Sequence, residues 1–284
     1  MPGIPMKCAV IIHIFYYEIA DELAEAIKNI CDVEKDIFLT VSESIHDKKD
    51  EIAKKFPDAR ISVVKNVGYD IWPFLCIINQ LDLNQYDLIV KLHTKRDMPE
   101  ATFLKKVCMP YDAWRKNLLI FVKTKDVFRK SLAYLEKKKI GMVSGINVLM
   151  NKHHDCAREL YPFIKKLMNA YSLPYESKFQ FVAGTMFVGK APLFGYLKNR
   201  FKEKDFIEPD SEHKRQELPH ILERILGYAI GAQGYEIVNC KGKDVEFEAR
   251  IEGLKRFFYR KQYTLRHKIT RILGFPVFIK KNNK

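Results

Sequence analysis

No apolar run in this sequence approaches the roughly 20 residues that a membrane-spanning helix needs. The longest, such as Ala9–Ile12 and Phe74–Ile78, are far shorter, which excludes a polytopic membrane protein. The opening residues, Met1-Pro2-Gly3-Ile4-Pro5-Met6-Lys7, lack the charged-then-apolar pattern of a secretory signal. Glycine and proline are sparse, 13 and 12 of 284 residues, so collagen and low-complexity disorder are excluded. Six cysteines at 8, 31, 76, 108, 156 and 240 form no C-x-x-C. Such wide spacing argues against a disulfide scaffold or a structural zinc site, and reduced thiols in a cytoplasm are expected. Several signatures are missing as well: G-x-x-x-x-G-K-[ST], G-x-G-x-x-G, H-E-x-x-H, G-x-S-x-G and D-x-D. P-loop, nicotinamide Rossmann, zincin and α/β-hydrolase chemistries therefore have no support.

Positive charge is what the sequence has in excess, 49 Lys and Arg against 35 Asp and Glu, a net of +14. It is concentrated at one end. From Arg250 to Lys284 there are 11 basic residues and one acid, Glu252, whereas the preceding body is nearly balanced. The chain thus divides into a body, 1–249, and a basic tail, 250–284. A tail of this charge implies an anionic partner: nucleic acid, anionic lipid or an acidic protein.

The body alternates apolar runs with helical spacing. Lys7–Phe15, Asp36–Val41, Ala59–Lys65 and Asp87–Leu92 read as strands, and Ile19–Ile30, Asp47–Phe56 and Asp70–Leu81 as the helices between them. This β-α-β-α-β-α-β order argues for an α/β fold with a mostly parallel sheet flanked by helices. Further on, helices are expected at 111–121, 125–137, 156–170 and 218–229, and strands at 140–148, 179–189 and 235–239. In the tail, apolar residues at 251, 254, 258, 265, 269 and 272 predict a basic amphipathic helix over 251–273, ended by Gly274 and Pro276.

In open α/β sheets ligands bind beyond the carboxyl ends of the strands. Those ends carry His13, Thr40, the segment Asn66-Val67-Gly68-Tyr69-Asp70, and His93-Thr94-Lys95-Arg96-Asp97. The Asn66–Asp70 segment has two readings: a glycine turn and helix N-terminus that receives a phosphate or sugar hydroxyl, or an ordinary turn with Asp70 as N-cap. His93 to Lys95 is either a cationic clamp for a diphosphate or a solvated loop. His153, His154, Asp155 and Cys156 favour packing over metal, since no second ligand cluster has suitable spacing. His220 and Glu223 share one helix face, Glu223 being a surface ion pair with Arg224 or, beside a cleft, a general base.

Four ordered stretches, KNVGYDIWPFL (65–75), YDLIVKLHTKRD (86–97), FVAGTMFVGKAPLF (181–194) and LPHILERILG (218–227), resemble the rhamnan synthesis protein F family, and VIIHIFYYEIADEL (10–23) resembles its opening strand. The resemblance implies a GT-A-like, Rossmann-type glycosyltransferase of bacterial cell-surface polysaccharide assembly. Its donor would be a nucleotide sugar such as dTDP-rhamnose, and its acceptor a glycan or lipid-linked glycan. On that basis His13, Thr40, Asn66, Gly68, Asp70, His93, Thr94, Lys95 and Arg96 are expected to hold the donor. Gly184, Thr185 and Met186 are expected on the acceptor side, with Glu223 as base and His220 as orienter or alternative base. The missing D-x-D leaves Asp97 as the sole candidate for Mg²⁺ or Mn²⁺, and Lys95 with Arg96 as the alternative charge for a departing diphosphate. The tail is expected on the anionic inner face of the plasma membrane. Two other readings are a non-catalytic glycan-assembly member and, less supported, a nucleic-acid binder.

Overall fold

The computed structural model describes residues 5–97, 103–104, 107–108, 113–155, 157–207, 218–263, 267–273 and 275–281. Residues 111–112 of an expected helix, Cys156 and Gly274 lie outside them. In chain order the elements are β1 (Lys7–Ile14), α1 (Ala20–Ile27), β2 (Glu34–Ser42), α2 (Lys49–Lys55), β3 (Ala59–Val64), α3 (Ile71–Gln80), β4 (Leu88–His93), β5 (Phe103–Leu104), β6 (Val107–Cys108), α4 (Ala113–Leu119), α5 (Lys125–Leu135), β7 (Ile140–Ser144), β8 (Leu149–Asn151), α6 (Tyr161–Ala170), β9 (Gln180–Val182), β10 (Phe187–Lys190), α7 (Leu218–Ala232), β11 (Glu236–Asn239), α8 (Val245–Phe258), β12 (Tyr259–Tyr263), β13 (His267–Ile272) and β14 (Phe275–Lys281).

Seven strands form the main sheet in the order β11-β7-β10-β4-β1-β2-β3. Neighbours pair in parallel except at β10, which runs antiparallel to both β4 and β7. The mostly parallel α/β sheet expected from the sequence is therefore present. Its central strands are continuous apolar runs because helices cover both faces: β1 is buried from Cys8 onward and β4 along its whole length. Helix α1 turns Ala20, Leu23, Ala24 and Ile27 inward, a helical stripe that ends where Lys28 begins. Between α3 and the sheet, the Phe187 and Phe194 rings stack at 5.4 Å and Phe74 meets both edge-on at 6.4 and 6.2 Å.

Two expectations are corrected. The stretch 179–189 is not one strand. Gly184 and Thr185, at φ +80° and +50°, turn the chain, so β9 pairs with β8 while β10 enters the main sheet. The expected helix over 251–273 holds only to Phe258, and the tail continues as the antiparallel sheet β12-β13-β14. Tyr259, Tyr263, Ile269, Thr270, Ile272, Val277 and Ile279 are β-branched or aromatic, and strand preference outweighs the helical spacing there. Helix α8 begins before position 250 and runs through it. Among the described residues no helix is long and apolar enough to cross a membrane.

Helix α7 lies close against β9 because Gly227 has no side chain. A Cβ there would stand 2.4 Å from both Gln180 O and Phe181 Cα. Gly227→Ala should therefore separate α7 from β9, lowering the urea midpoint by the equivalent of about 2 kcal/mol although alanine is the better helix former. Equilibrium unfolding of the two proteins checks this, an unchanged midpoint being the contrary result.

Candidate active site

The strand order reverses direction between β1 and β4: β2 and β3 extend the sheet on one side of β1, while β4 lies on the other. Crevices form at such a switch point beyond the carboxyl ends of the strands. Here His13, one residue before the end of β1, pairs with His93, the last residue of β4. A cleft of about 670 Å³ opens above them. It is lined by His13, Asn66, Gly68, Tyr69, Asp70, His93, Thr94, Lys95, Arg96 and Asp97, and on its far wall by Asp205, Phe206, Ile207, Leu218 and Pro219. Eight of the nine residues expected at the donor thus meet in one cavity, with Asp97. The ninth, Thr40, is fully buried behind it.

Thr40 acts through His13. Its hydroxyl donates to Ile12 O at 3.3 Å, which leaves its oxygen to accept from His13 Nδ1 at 3.0 Å. That assignment puts the proton on Nδ1 and leaves the Nε2 lone pair free to accept. Burial lowers the His13 pKa to about 4, against the pull of Asp70. His93 is 4% exposed, and neither ring nitrogen has a hydrogen-bond partner. Its Nδ1 stands 3.7 Å from Asp70 Oδ2, too far to bond. Burial again dominates and lowers its pKa to about 3. Both histidines are neutral at pH 7.

Asp70 occupies the position before the first turn of α3, but its side chain does not cap that helix. It turns instead to Lys91, whose Nζ donates to Asp70 Oδ2 at 2.5 Å and to Thr185 Oγ1 at 2.7 Å, and the Thr185 hydroxyl donates to the same Oδ2. Lys91 is only 1% exposed, in the middle of β4. Burial pushes Asp70 up, but neighbouring positive charge and hydrogen bonds from Lys91 and Thr185 prevail and hold it well below the carboxylate range. Lys91 supplies that charge at pH 7, since His93 is uncharged. Burial in turn lowers the Lys91 pKa, opposed by Asp70. The sequence reading missed Lys91. The available signal was a lysine inside an otherwise apolar strand, because such a lysine is buried only when paired.

Gly184, Thr185, Met186, His220 and Glu223 are not among the residues that line the cleft. Gly184 and Thr185 form the turn between β9 and β10, and Met186 is fully buried. Of the three, Thr185 reaches the cleft through Asp70. Glu223 is engaged at both oxygens: Oε1 accepts Gly184 N–H at 2.7 Å and Oε2 accepts from Arg224 Nη1 at 2.5 Å. Arg224 also grips Asp155 with two nitrogens, at 2.9 and 3.1 Å, so Asp155 serves an ion pair rather than a metal. His220 packs its ring on Tyr69 at 5.5 Å, and Tyr69 lines the cleft. Asn66 N–H donates to Glu43 Oε1 at 3.0 Å, and the Thr94 hydroxyl accepts Phe15 and Tyr16 N–H at 2.9 and 3.0 Å, fixing the loop after β1. Arg96 is held by Glu18, 2.6 Å from Nη2, and lies over the Tyr16 ring.

Among the described residues the carboxylates around the cleft are each engaged on one oxygen, while Asp97 Oδ1 is buried without a partner. Asp70 is engaged by Lys91, Asp97 Oδ2 lies 3.1 Å from Arg115 Nη1, and Asp205 Oδ2 accepts Lys202 N–H at 2.8 Å. Among the described residues no three His, Cys, Asp or Glu side chains converge as metal ligands.

Over residues 4–235 the chain matches the family of rhamnan synthesis protein F. No curated protein matches it. Among solved structures it is similar to glucosyl-3-phosphoglycerate synthase from Mycobacterium tuberculosis in two complexes. With Mn²⁺, UDP and glucosyl-3-phosphoglycerate the identity is 12%, the coverage 97% of this chain and 90% of that one, and the TM-score 0.35. With Mn²⁺, UDP-glucose and phosphoglyceric acid the values are 13%, 95%, 90% and 0.36.

The buried charges lead to two expected outcomes. Lys91→Met leaves the Asp70 carboxylate without its cation and should destabilise the protein by about 3–5 kcal/mol, with part of the loss recovered in Lys91→Met/Asp70→Asn. Denaturant titration of the single and double variants reads this, and additive losses would contradict the pairing. The histidines make stability depend on pH. Their folded pKa values, about 4 and about 3, lie below the unfolded value near 6.5, so the unfolded chain binds more protons between these limits. Stability should fall as pH drops from about 6.5 toward 4, by roughly 1.4 kcal/mol per unit for each histidine. His93→Gln should flatten the profile, and an equally steep one would refute the assignment.

Proposed function

Because the chain belongs to the rhamnan synthesis protein F family, we propose that it is a glycosyltransferase. It takes a sugar from a nucleotide-sugar donor, dTDP-rhamnose in the reading its family favours, and adds it to a cell-surface polysaccharide or lipid-linked glycan. One observation carries the assignment to this site. The cleft at the strand-order reversal combines a carboxylate held ionised with two neutral histidines and a lysine, Lys95, that has no ion-pair partner among the described residues. The roles then divide by charge. Lys95 faces the diphosphate and stabilises negative charge as the leaving group departs. Arg96 joins it once released from Glu18, an exposed pair whose loss costs little. His13 and His93 offer neutral hydrogen-bonding groups to the base, ribose or sugar.

Asp70 suits hydroxyl binding better than proton transfer. Its contacts with Lys91 and Thr185 fall on Oδ2, so Oδ1 remains for a sugar hydroxyl. A carboxylate held so far down is a weak base, since efficient bases titrate near the working pH. With Glu223 engaged, His220 is the proton acceptor at the acceptor side, and Glu223 shapes the Gly184 turn. No step is assigned to Mg²⁺ or Mn²⁺. Instead, Lys95 carries the charge compensation.

Calorimetry with UDP, dTDP, GDP and CMP, with and without Mn²⁺, tests the donor site. One nucleotide should bind in the micromolar range without requiring metal, and Lys95→Gln should weaken it about ten-fold, near 1.4 kcal/mol. Binding of none would remove the assignment. In a transfer assay His220→Asn should lower kcat with donor affinity kept. Nucleotide binding without transfer or donor hydrolysis would point instead to a non-catalytic glycan-assembly protein.

A further inference from the structure

The first turn of α8 is fastened to the body. Glu248 Oε1 accepts Asn147 N–H and Asn239 Nδ2, both at 2.7 Å, and Glu246 Oε1 accepts Asn151 Nδ2 at 2.9 Å. Beyond that turn Leu254 and Phe258 are 56% and 57% exposed. Along β14 the exposures are 74% for Phe275, 55% for Val277, 61% for Phe278 and 60% for Ile279. Successive strand residues point to opposite faces, so apolar groups stand in water on both faces of this strand. Among the described residues of the sheet body, large exposed apolar side chains such as Val63 and Phe163 stand apart in the sequence. A contiguous patch of this kind marks an interaction surface. The same segment, 250–284, carries 11 basic residues and one acid.

We propose that the C-terminal sheet β12-β13-β14 docks the protein on an anionic lipid bilayer. Charge complementarity selects this occupant. Apolar side chains enter the headgroup–acyl boundary while Lys and Arg of the same stretch of sequence supply charge for anionic headgroups, each worth about 1 kcal/mol near the surface. A second copy would bring two segments of like charge together, which opposes pairing. Nucleic acid would satisfy the charge but leave Leu273, Val277 and Ile279 in water, since aliphatic side chains provide no stacking platform. The inference does not depend on the donor-site reading.

The test is sedimentation of the full chain with vesicles of phosphatidylcholine alone or with about one third phosphatidylglycerol, for wild type and Phe275→Asp/Phe278→Asp. Both side chains are solvent-exposed, so the fold should survive. An unchanged melting temperature confirms that. Wild type should bind the anionic vesicles at low salt, bind the neutral ones at least ten-fold less, and release as salt rises. The double variant should lose about ten-fold or more in affinity. Binding to neither vesicle, equal binding to both, or binding untouched by the variant overturns the proposal. So does a dimer in sedimentation velocity without lipid that the variant abolishes. An oligonucleotide gel shift in a chain that ignores the vesicles transfers the surface to nucleic acid.

Discussion

An ammonium group sits inside the central strand of the sheet, and much of the surrounding architecture serves to accommodate it. An unpaired Lys91 in that position would be strongly disfavoured, because burial penalises an isolated charge by far more than a typical protein's margin of stability. Asp70 answers it from the start of α3, and Thr185 answers both from the turn before β10. Since Asp70 is spent on Lys91, α3 begins without a side-chain cap. The loss is about 1 kcal/mol of helix stability, small beside a buried ion pair left half empty. The bonding continues inward. Gly184 N–H is held by Glu223, Glu223 by Arg224, and Arg224 by Asp155, which also accepts the Tyr161 hydroxyl at 3.1 Å. A polar chain thus links β4, the β9–β10 turn, α7 and the segment before α6.

This arrangement sets the electrostatics of the cleft. The Lys91 charge is neutralised locally by Asp70, so it does not add a free cation to the cavity wall. Burial keeps His13 and His93 neutral, against a pull of Asp70 on each that outweighs the push of Lys91. Among the described residues that line the cleft, the cations left for an incoming anion are Lys95 and, once released from Glu18, Arg96. In the proposed function a phosphate is drawn to Lys95, while His13, His93 and Asp70 present neutral hydrogen-bonding groups and one carboxylate, a combination that suits an elongated ligand with an anionic part and a hydroxyl-rich part.

The sequence made the strand ends legible because the rule that places ligands there needs only strand order and direction. His13, Asn66, Gly68, Asp70 and His93 to Asp97 all fall on such ends, and they do meet. What the sequence concealed were partnerships between distant segments. Asp70 had an obvious local role as a cap, and only the fold brings Lys91 and Thr185, at separations of 21 and 115 residues, close enough to draw it away. Glu223 has the spacing of a residue on a helix face, but spacing does not reveal that Gly184 N–H takes one of its oxygens. The tail misled for a different reason. A period near 3.6 and a period of 2 coincide at several positions in so short a stretch, and beyond Phe258 the β-branched and aromatic residues favour the strand.

Backbone strain joins these threads. Tyr69 and Thr185 stand at φ +54° and +50°, a region that side chains larger than glycine rarely enter and that is least suited to a β-branched residue. Each such residue costs on the order of 1–3 kcal/mol and persists only where surrounding contacts overdetermine it. Both flank the same group: Tyr69 immediately precedes Asp70, and the Thr185 hydroxyl bonds it. Gly68, at φ +67°, completes the turn because a Cβ there would strike Phe206 and Trp72. The strained residues are thus held where they fix one carboxylate against one lysine, and the stabilisation of that buried pair offsets the strain. It follows that Asp70 is oriented before any ligand arrives. A ligand then does not have to order it, and more of the hydrogen-bond energy remains available for binding or for the transition state.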